Sequence, residues 1–100
     1  MAFDMYIGKY HESIGDEDEY ILSMIRGSES EFPQLSKVSL NYYGDLTFTP
    51  VEASALVHEL MKLSSQNRQS NTAMKLLILR LASFFSIAVQ TNQEVNCAGD

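Results

Sequence analysis

The sequence predicts an α+β protein that is mainly helical, with about four helices packed against a small antiparallel sheet. Three features lead to this prediction: an alternating apolar opening, a clearly marked helix start at Thr49, and a long apolar stretch near the end. The chain has 100 residues, which we interpret as one domain, 1–100. A domain of this length buries roughly two-thirds of the surface that it exposes when unfolded, enough for one core.

The first third of the chain predicts one strand and one helix. Large apolar and polar residues alternate over 3–7 and stop at Gly8, as in a short strand with one buried face. We expect a loop over 11–15, after which Asp16 caps a helix that Gly27 ends. The apolar positions of that helix recur at helical spacing: Tyr20, Ile21, Met24 and Ile25.

A second short helix is expected to begin at Pro33, because proline suits the first turn of a helix. It would carry Leu35, Val38 and Leu40 toward the core. Residues 41–45 then form a turn, and 46–48 alternate like a very short strand or an extended link.

The last two helices have the clearest signals. Thr49 is a predicted N-cap, Pro50 occupies the first helical position, and Glu52 completes a capping box for a helix over 50–63. Glu52, Glu59 and Lys62 are expected outside. The next helix, over 72–90, is apolar nearly all round, so it is either central or shared with another chain. Residues 95–97 predict a final strand that pairs with the opening one.

The negative charge is concentrated in residues 11–31, which hold seven of the thirteen acids and one base, Arg26. Such a segment attracts a basic partner over long range. The alternative for the run Asp16-Glu17-Asp18-Glu19 is a solvated helix start, because acids are stabilised by the positive end of a helix. The acidic balance excludes nucleic acid as a partner, because phosphate binding requires clustered Lys and Arg.

Three segments come close to known metal-binding motifs but lack a required residue. His11-Glu12 and His58-Glu59 open like a zinc-protease motif, but Gly15 and Lys62 stand where the second histidine should be. The consecutive acids do not fit a calcium loop, which needs alternating ligands and a central glycine. We therefore expect no cofactor, no metal and no enzymatic activity. Cys97, the single cysteine, is expected to be a small apolar core residue.

Cysteine usage and hydropathy predict a cytoplasmic protein. One cysteine cannot form an internal disulfide, and no secretory start is visible. The longest apolar stretch, over 73–89, is interrupted by Lys75, Arg80 and two serines, so we expect it to fall short of the ~20 largely apolar residues of a membrane span.

Tyr42-Tyr43, in a turn before Gly44-Asp45, favours a protein interface, where aromatic residues with a polar tip are common anchors. We expect one of the two to pack inward. The alternative is that both simply cover the helix below them.

Four short patterns together resemble small bacterial immunity proteins, over roughly residues 3–63. They are Phe3-Asp4-Met5-Tyr6-Ile7-Gly8-Lys9, Asp18-Glu19-Tyr20, Phe32-Pro33-Gln34-Leu35 and Tyr42-Tyr43-Gly44-Asp45. The resemblance implies a cytoplasmic inhibitor, of the contact-dependent growth inhibition type, that binds the C-terminal domain of a toxin. Many such toxins are nucleases, whose basic active sites an acidic inhibitor can occupy, and a ribonuclease is favoured.

This hypothesis assigns two sets of partner-binding residues. The acids expected to face basic toxin residues are Glu12, Asp16, Glu17, Asp18, Glu19, Glu29 and Glu31, and the second contact comprises Tyr42, Tyr43 and Asp45. The alternative is a regulatory or scaffold module that forms a homodimer through helix 72–90, for example through Leu79 and Phe85, with the acids serving solubility.

Overall fold

The computed structural model describes residues 2–67 and 72–99. The predicted α+β, mainly helical class is confirmed, with four strands and four α-helices in this part of the chain. The strands are β1 (Ala2–Ile7), β2 (Tyr10–Gly15), β3 (Asp45–Phe48) and β4 (Val95–Ala98). The helices are α1 (Tyr20–Ser23), α2 (Pro33–Leu40), α3 (Pro50–Gln66) and α4 (Thr72–Thr91), with 3-10 turns at Asp16–Asp18 and Glu29–Glu31.

The strands form one antiparallel sheet in the order β2-β1-β4-β3. The predicted pairing of the final strand with the opening strand is confirmed, since Met5 lies opposite Cys97. The loop expected over 11–15 is wrong, because β2 occupies these residues and forms a hairpin with β1. Gly8 allows the two-residue turn between them, with a positive φ of 54° that other residues adopt rarely.

The two faces of the sheet differ completely. The inward side chains of β1 are Phe3, Met5 and Ile7, all fully buried under the helices. The other face, which we call the open face, is formed by the alternate positions Ala2, Asp4, Tyr6, His11, Ser13, Gly15, Asp45, Thr47, Asn96 and Ala98. An antiparallel sheet with helices on one side normally has this inside-outside alternation.

The start of α3 matches the prediction. The Thr49 hydroxyl accepts a hydrogen bond from the Glu52 backbone N–H at 3.1 Å, and the Glu52 carboxylate accepts one from the Thr49 N–H at 2.9 Å. This capping box satisfies two backbone donors that a helix start otherwise leaves without partners. The helix runs three residues beyond the predicted end, to Gln66.

Glu59 of α3 was expected outside and is instead 4% exposed. Its carboxylate accepts hydrogen bonds from the backbone N–H groups of Gln34, at 3.1 Å, and Leu35, at 3.0 Å. Pro33, the first residue of α2, has no backbone N–H, so Gln34 and Leu35 carry the first two N–H donors of the helix. A buried carboxylate at a helix N-terminus is stabilised both by these donors and by the positive helix end.

Two expectations for the shorter helices also fail. The helix that Asp16 was to cap is broken into a 3-10 turn and the four-residue α1, and Asp16 caps neither of them. In α2, Leu35 and Val38 are buried as expected, but Leu40 is 85% exposed. Leu40 is the last residue of α2, so the helix ends before another element can cover it.

Helix α4 is the central helix of the core. It packs most extensively against α3 and buries eight residues, including Leu77, Leu81 and Phe85. Contrary to the sequence-based expectation, its length and composition would suffice to cross a membrane. Core helices of globular proteins pass the same test, and 44% of this stretch is buried inside the fold. A left-handed Asn92, with φ of 53°, ends the helix and turns the chain into β4.

Candidate functional site

The acids predicted to bind a partner are divided among several local structures. Glu12 lies on β2, the run Asp16–Asp18 forms a 3-10 turn directly after it, and Glu19 precedes α1. Glu29 and Glu31 belong to the second 3-10 turn, which leads into α2. Glu17, Glu29 and Glu31 are exposed, whereas Glu12, Asp18 and Glu19 are half-buried. The segment therefore presents its charges from several backbone elements rather than from one helix.

Arg80 of α4 organises the first group of acids. Its Nε lies 3.0 Å from Glu12 Oε2, and its terminal nitrogen lies 3.3 Å from Asp18 Oδ2. The same nitrogen donates a hydrogen bond to the Ser13 carbonyl oxygen at 3.2 Å. Glu12 and Asp18 are thereby attached to the side of α4, and together with Asp16 and Glu17, which lie between them in the chain, they are called the acid rim below. A guanidinium suits this role because its planar set of donors can serve several acceptors at once.

Ion pairs from elsewhere in the chain neutralise part of the acidic segment. Arg80 pairs with two of the seven predicted acids, and Lys62 lies 3.2 Å from a third, Glu31. Both bases lie outside the acidic segment. Even when Arg80, Lys62 and Arg26 are counted with the segment, three bases stand against seven acids. This side of the molecule therefore remains negative.

An exposed apolar stripe lies beside the acid rim. Leu76 and Leu79 of α4 are each 60% exposed and, with Arg80 and Ser83, line an open depression of about 530 Å³. We call Leu76 and Leu79 the leucine stripe. The dimer hypothesis had named Leu79 and Phe85, but Phe85 is only 2% exposed and packs edge-on against Phe48 and Phe84. Phe85 is therefore a core residue and cannot form an intermolecular contact.

The two tyrosines of the second predicted contact have different positions. Tyr42 is 4% exposed, stacks on Phe3 with ring centroids 5.8 Å apart, and donates its hydroxyl to the Ile14 carbonyl at 2.7 Å. The expectation that one of the two tyrosines packs inward is confirmed, and at 4% exposure Tyr42 is mainly a core residue rather than a contact for a partner. Tyr43 is 63% exposed and rests edge-on against Tyr42. A large aromatic held by a buried neighbour is a suitable interface anchor.

Tyr43 and Glu19 line one cleft of about 340 Å³ between α1 and the end of α2, together with Arg26. The chain end stabilises the tyrosine turn, since the Gly99 N–H donates to the Gly44 carbonyl at 2.7 Å. A Cβ atom at position 99 would overlap the Tyr42 carbonyl oxygen, so this close approach requires glycine. Asp45 lies exposed on β3, outside the cleft.

The residues considered for chemistry are not brought together. Cys97 points into the core, whereas His11 belongs to the open face on the other side of the sheet. Burial raises the pKa of the Cys97 thiol to about 12, which keeps it protonated and unreactive near neutral pH. Within residues 2–67 and 72–99, no group of three His, Cys, Asp or Glu side chains is placed to hold a metal ion.

Comparisons with known proteins give one similarity. The chain is 33% identical over 87 residues to serine acetyltransferase 1 of Arabidopsis thaliana, a chloroplastic protein. The match covers 86% of this chain but only 28% of that relative. No protein-family model and no solved structure matches the chain. The function proposed below therefore depends on the resemblance described above and on the surface of the chain itself.

Proposed function

We propose that this protein is a bacterial immunity protein that binds a basic toxin domain and neutralises it stoichiometrically, in the cytoplasm and without catalysis. The toxin would be a nuclease, with a ribonuclease favoured, of the contact-dependent growth inhibition type. The similarity to a serine acetyltransferase covers less than a third of that enzyme, so the proposal does not include acetyl transfer.

The observation that carries the proposal is the position of Arg80 between a group of acids and a pair of exposed leucines. On one side of it stand the carboxylates of the acid rim, and on the other stands the leucine stripe. A protein interface commonly combines an apolar centre with a polar rim. Acids alone are ordinary on a solvated surface, and two exposed leucines alone are also ordinary. Side by side, they form a surface suited to a basic protein.

The two parts of this surface would contribute differently to binding. Carboxylates draw a basic partner in over a distance of about a Debye length, roughly 8 Å at physiological salt, and therefore act on the association rate. Leu76 and Leu79 lose contact with water only in the finished complex, so they act on the dissociation rate. Glu19 and Tyr43 in the cleft, with Glu29 and Glu31 on the neighbouring turn, would extend the contact.

The direct test is co-purification with the toxin-like domain encoded beside this protein, followed by a nuclease assay on RNA with increasing amounts of the protein. We expect a stable complex and complete loss of activity near a one-to-one ratio. A toxin domain that remains fully active in excess inhibitor would overturn the proposal. As a control, the same volumes of buffer without the protein should leave the nuclease activity unchanged.

A second candidate is self-association through the leucine stripe, and the exposure of Leu76 and Leu79 specifically favours it. In that case the acids serve solubility, and the protein is a regulatory or scaffold homodimer. Sedimentation of the isolated chain separates the two: a homodimer that Leu79→Ser converts to a monomer favours this candidate. Phe85 is unsuitable for the same test, because a polar residue there would disrupt the core.

A further inference from the structure

The open face of the sheet is a second surface without a covering element among the described residues. Tyr6 is 43% exposed, and the neighbouring Thr47, Asn96 and His11 are also exposed. The strand register places these four side chains in one row across all four strands. This surface is on the opposite side of the sheet from α4, so it is distinct from the leucine stripe.

The charge of the open face has one sign. None of its ten positions, on any of the four strands, is a lysine or an arginine. Asp4 and Asp45 occupy one row on either side of Ala98; Asp45 is exposed and the Asp4 side chain is 33% exposed. His11 Nε2 lies 2.9 Å from Asp4 Oδ1, and this contact fixes the orientation of that carboxylate.

An aromatic platform lies next to Asp4. The rings of Tyr6 and His11 are stacked with centroids 4.7 Å apart and planes 20° apart. The Asp4 contact with His11 therefore joins Asp4, His11 and Tyr6 into one connected group of side chains. A guanidinium can lie flat on such a ring while its nitrogens reach a neighbouring carboxylate, which combines a cation–π contact with a charged hydrogen bond.

These features limit what can occupy the face. A second copy placed on it would add two more carboxylates and no lysine or arginine, and like charges in an interface are unfavourable. Nucleic acid is repelled for the same reason. We propose that the open face is a second protein-docking surface, which binds an arginine-bearing segment of another protein through Tyr6, Asp4 and Asp45. This inference goes beyond the proposed function and does not depend on it.

The test is a titration of the isotope-labelled full chain with a hexa-arginine peptide, followed by amide NMR at pH 7.5 and low salt. We expect saturable shifts at Asp4, Tyr6, His11 and Asn96, analysed separately from any shifts at residues 16–31, none of which belongs to the open face. The variant D4N/D45N should weaken binding at the open face at least threefold. Tyr6→Leu, which keeps an apolar side chain but removes the ring, should weaken it about threefold.

The matched control is E17Q/E29Q, which removes two charges from the helical side and none from the open face. It should leave the peptide affinity measured at Tyr6 within a factor of two. Shifts confined to residues 16–31, or equal weakening of the Tyr6 site by both double variants, would overturn the inference. Either result would leave toxin inhibition untouched, because inhibition is read from nuclease activity.

Discussion

The inner and outer sides of α4 carry the same kinds of residue but have opposite surroundings. Leu77 and Leu81, on the inner side, are at most 2% exposed, whereas Leu76 and Leu79 are 60% exposed. Hydropathy therefore identifies the helix but does not distinguish the leucines that hold the core from those available to a partner. The difference arises from packing, because α3 and the sheet cover only one side of the helix.

This comparison separates stability from binding. Burying an apolar side chain in the core stabilises the fold, while an exposed one contributes little until another surface covers it. The leucine stripe lies on the surface next to Arg80 and its paired acids, not inside the core. Substitutions on the two sides of α4 should therefore affect different measurements.

The largest expected effect is on the inner side. Leu81→Ala should lower the free energy of unfolding by about 3 kcal/mol, because it leaves a cavity in the centre of the core. The matched change Leu79→Ala, two residues earlier and on the outer side of the same helix, should cost less than about 0.5 kcal/mol. Urea unfolding followed by circular dichroism measures both. Equal losses in the two variants would contradict the assignment of Leu79 to the outer surface.

A smaller effect is expected at Glu59, which joins two helices. Glu59→Ala removes the acceptor for the Gln34 and Leu35 N–H groups and should cost about 2 kcal/mol, since buried donors are left without partners. Glu59→Gln keeps one carbonyl acceptor and should cost about half as much. Urea unfolding is again the measurement. If both variants are as stable as the natural chain, Glu59 does not cap α2.

The helix start at Thr49 should show the smallest effect and a pH dependence. Thr49→Ala should cost about 1 kcal/mol. Hydrogen bonds from Lys37, at 2.6 Å, and from the Thr49 backbone lower the pKa of Glu52. A lowered pKa contributes stability that is present above the unfolded value, about 4.3, and is lost as the pH falls through the folded value. Glu52→Gln should flatten this acid-side loss in thermal unfolding, and an unchanged profile would exclude Glu52 as its source.

Features encoded by neighbouring residues could be predicted from the sequence. The capping box at Thr49, the proline at the start of α2 and the alternation in β1 all depend on residues within a few positions of one another. The strand β2 was missed because only Ile14 among its six residues is buried, so its alternation is weak. As an edge strand it depends on pairing with β1, which a local pattern does not contain.

The pairing of the acids could not be predicted, because their partners are distant in the chain. Asp18 and Arg80 are 62 positions apart, and Glu59 meets the start of α2 from 24 or 25 positions away. Charge counting correctly located the negative segment but treated all of its acids as equivalent. Likewise, Tyr42 and Tyr43 are adjacent in sequence, and only the packing against Phe3 shows that Tyr42 is buried.

The most direct test of the central claim is the binding kinetics of the proposed basic toxin domain, measured with two charge reversals and one stripe variant. Glu17→Lys lies in the acid rim, whereas the control Glu94→Lys is an equally exposed acid just before β4, at the other end of the sheet.

We predict that Glu17→Lys slows association several-fold at low salt, with the difference vanishing at high salt, while Glu94→Lys changes it by less than twofold. Leu79→Ser should instead speed dissociation about tenfold with little change in association. Equal effects of the two charge reversals, or normal dissociation of the Leu79→Ser complex, would contradict the claim that the acid rim and the leucine stripe form one binding surface.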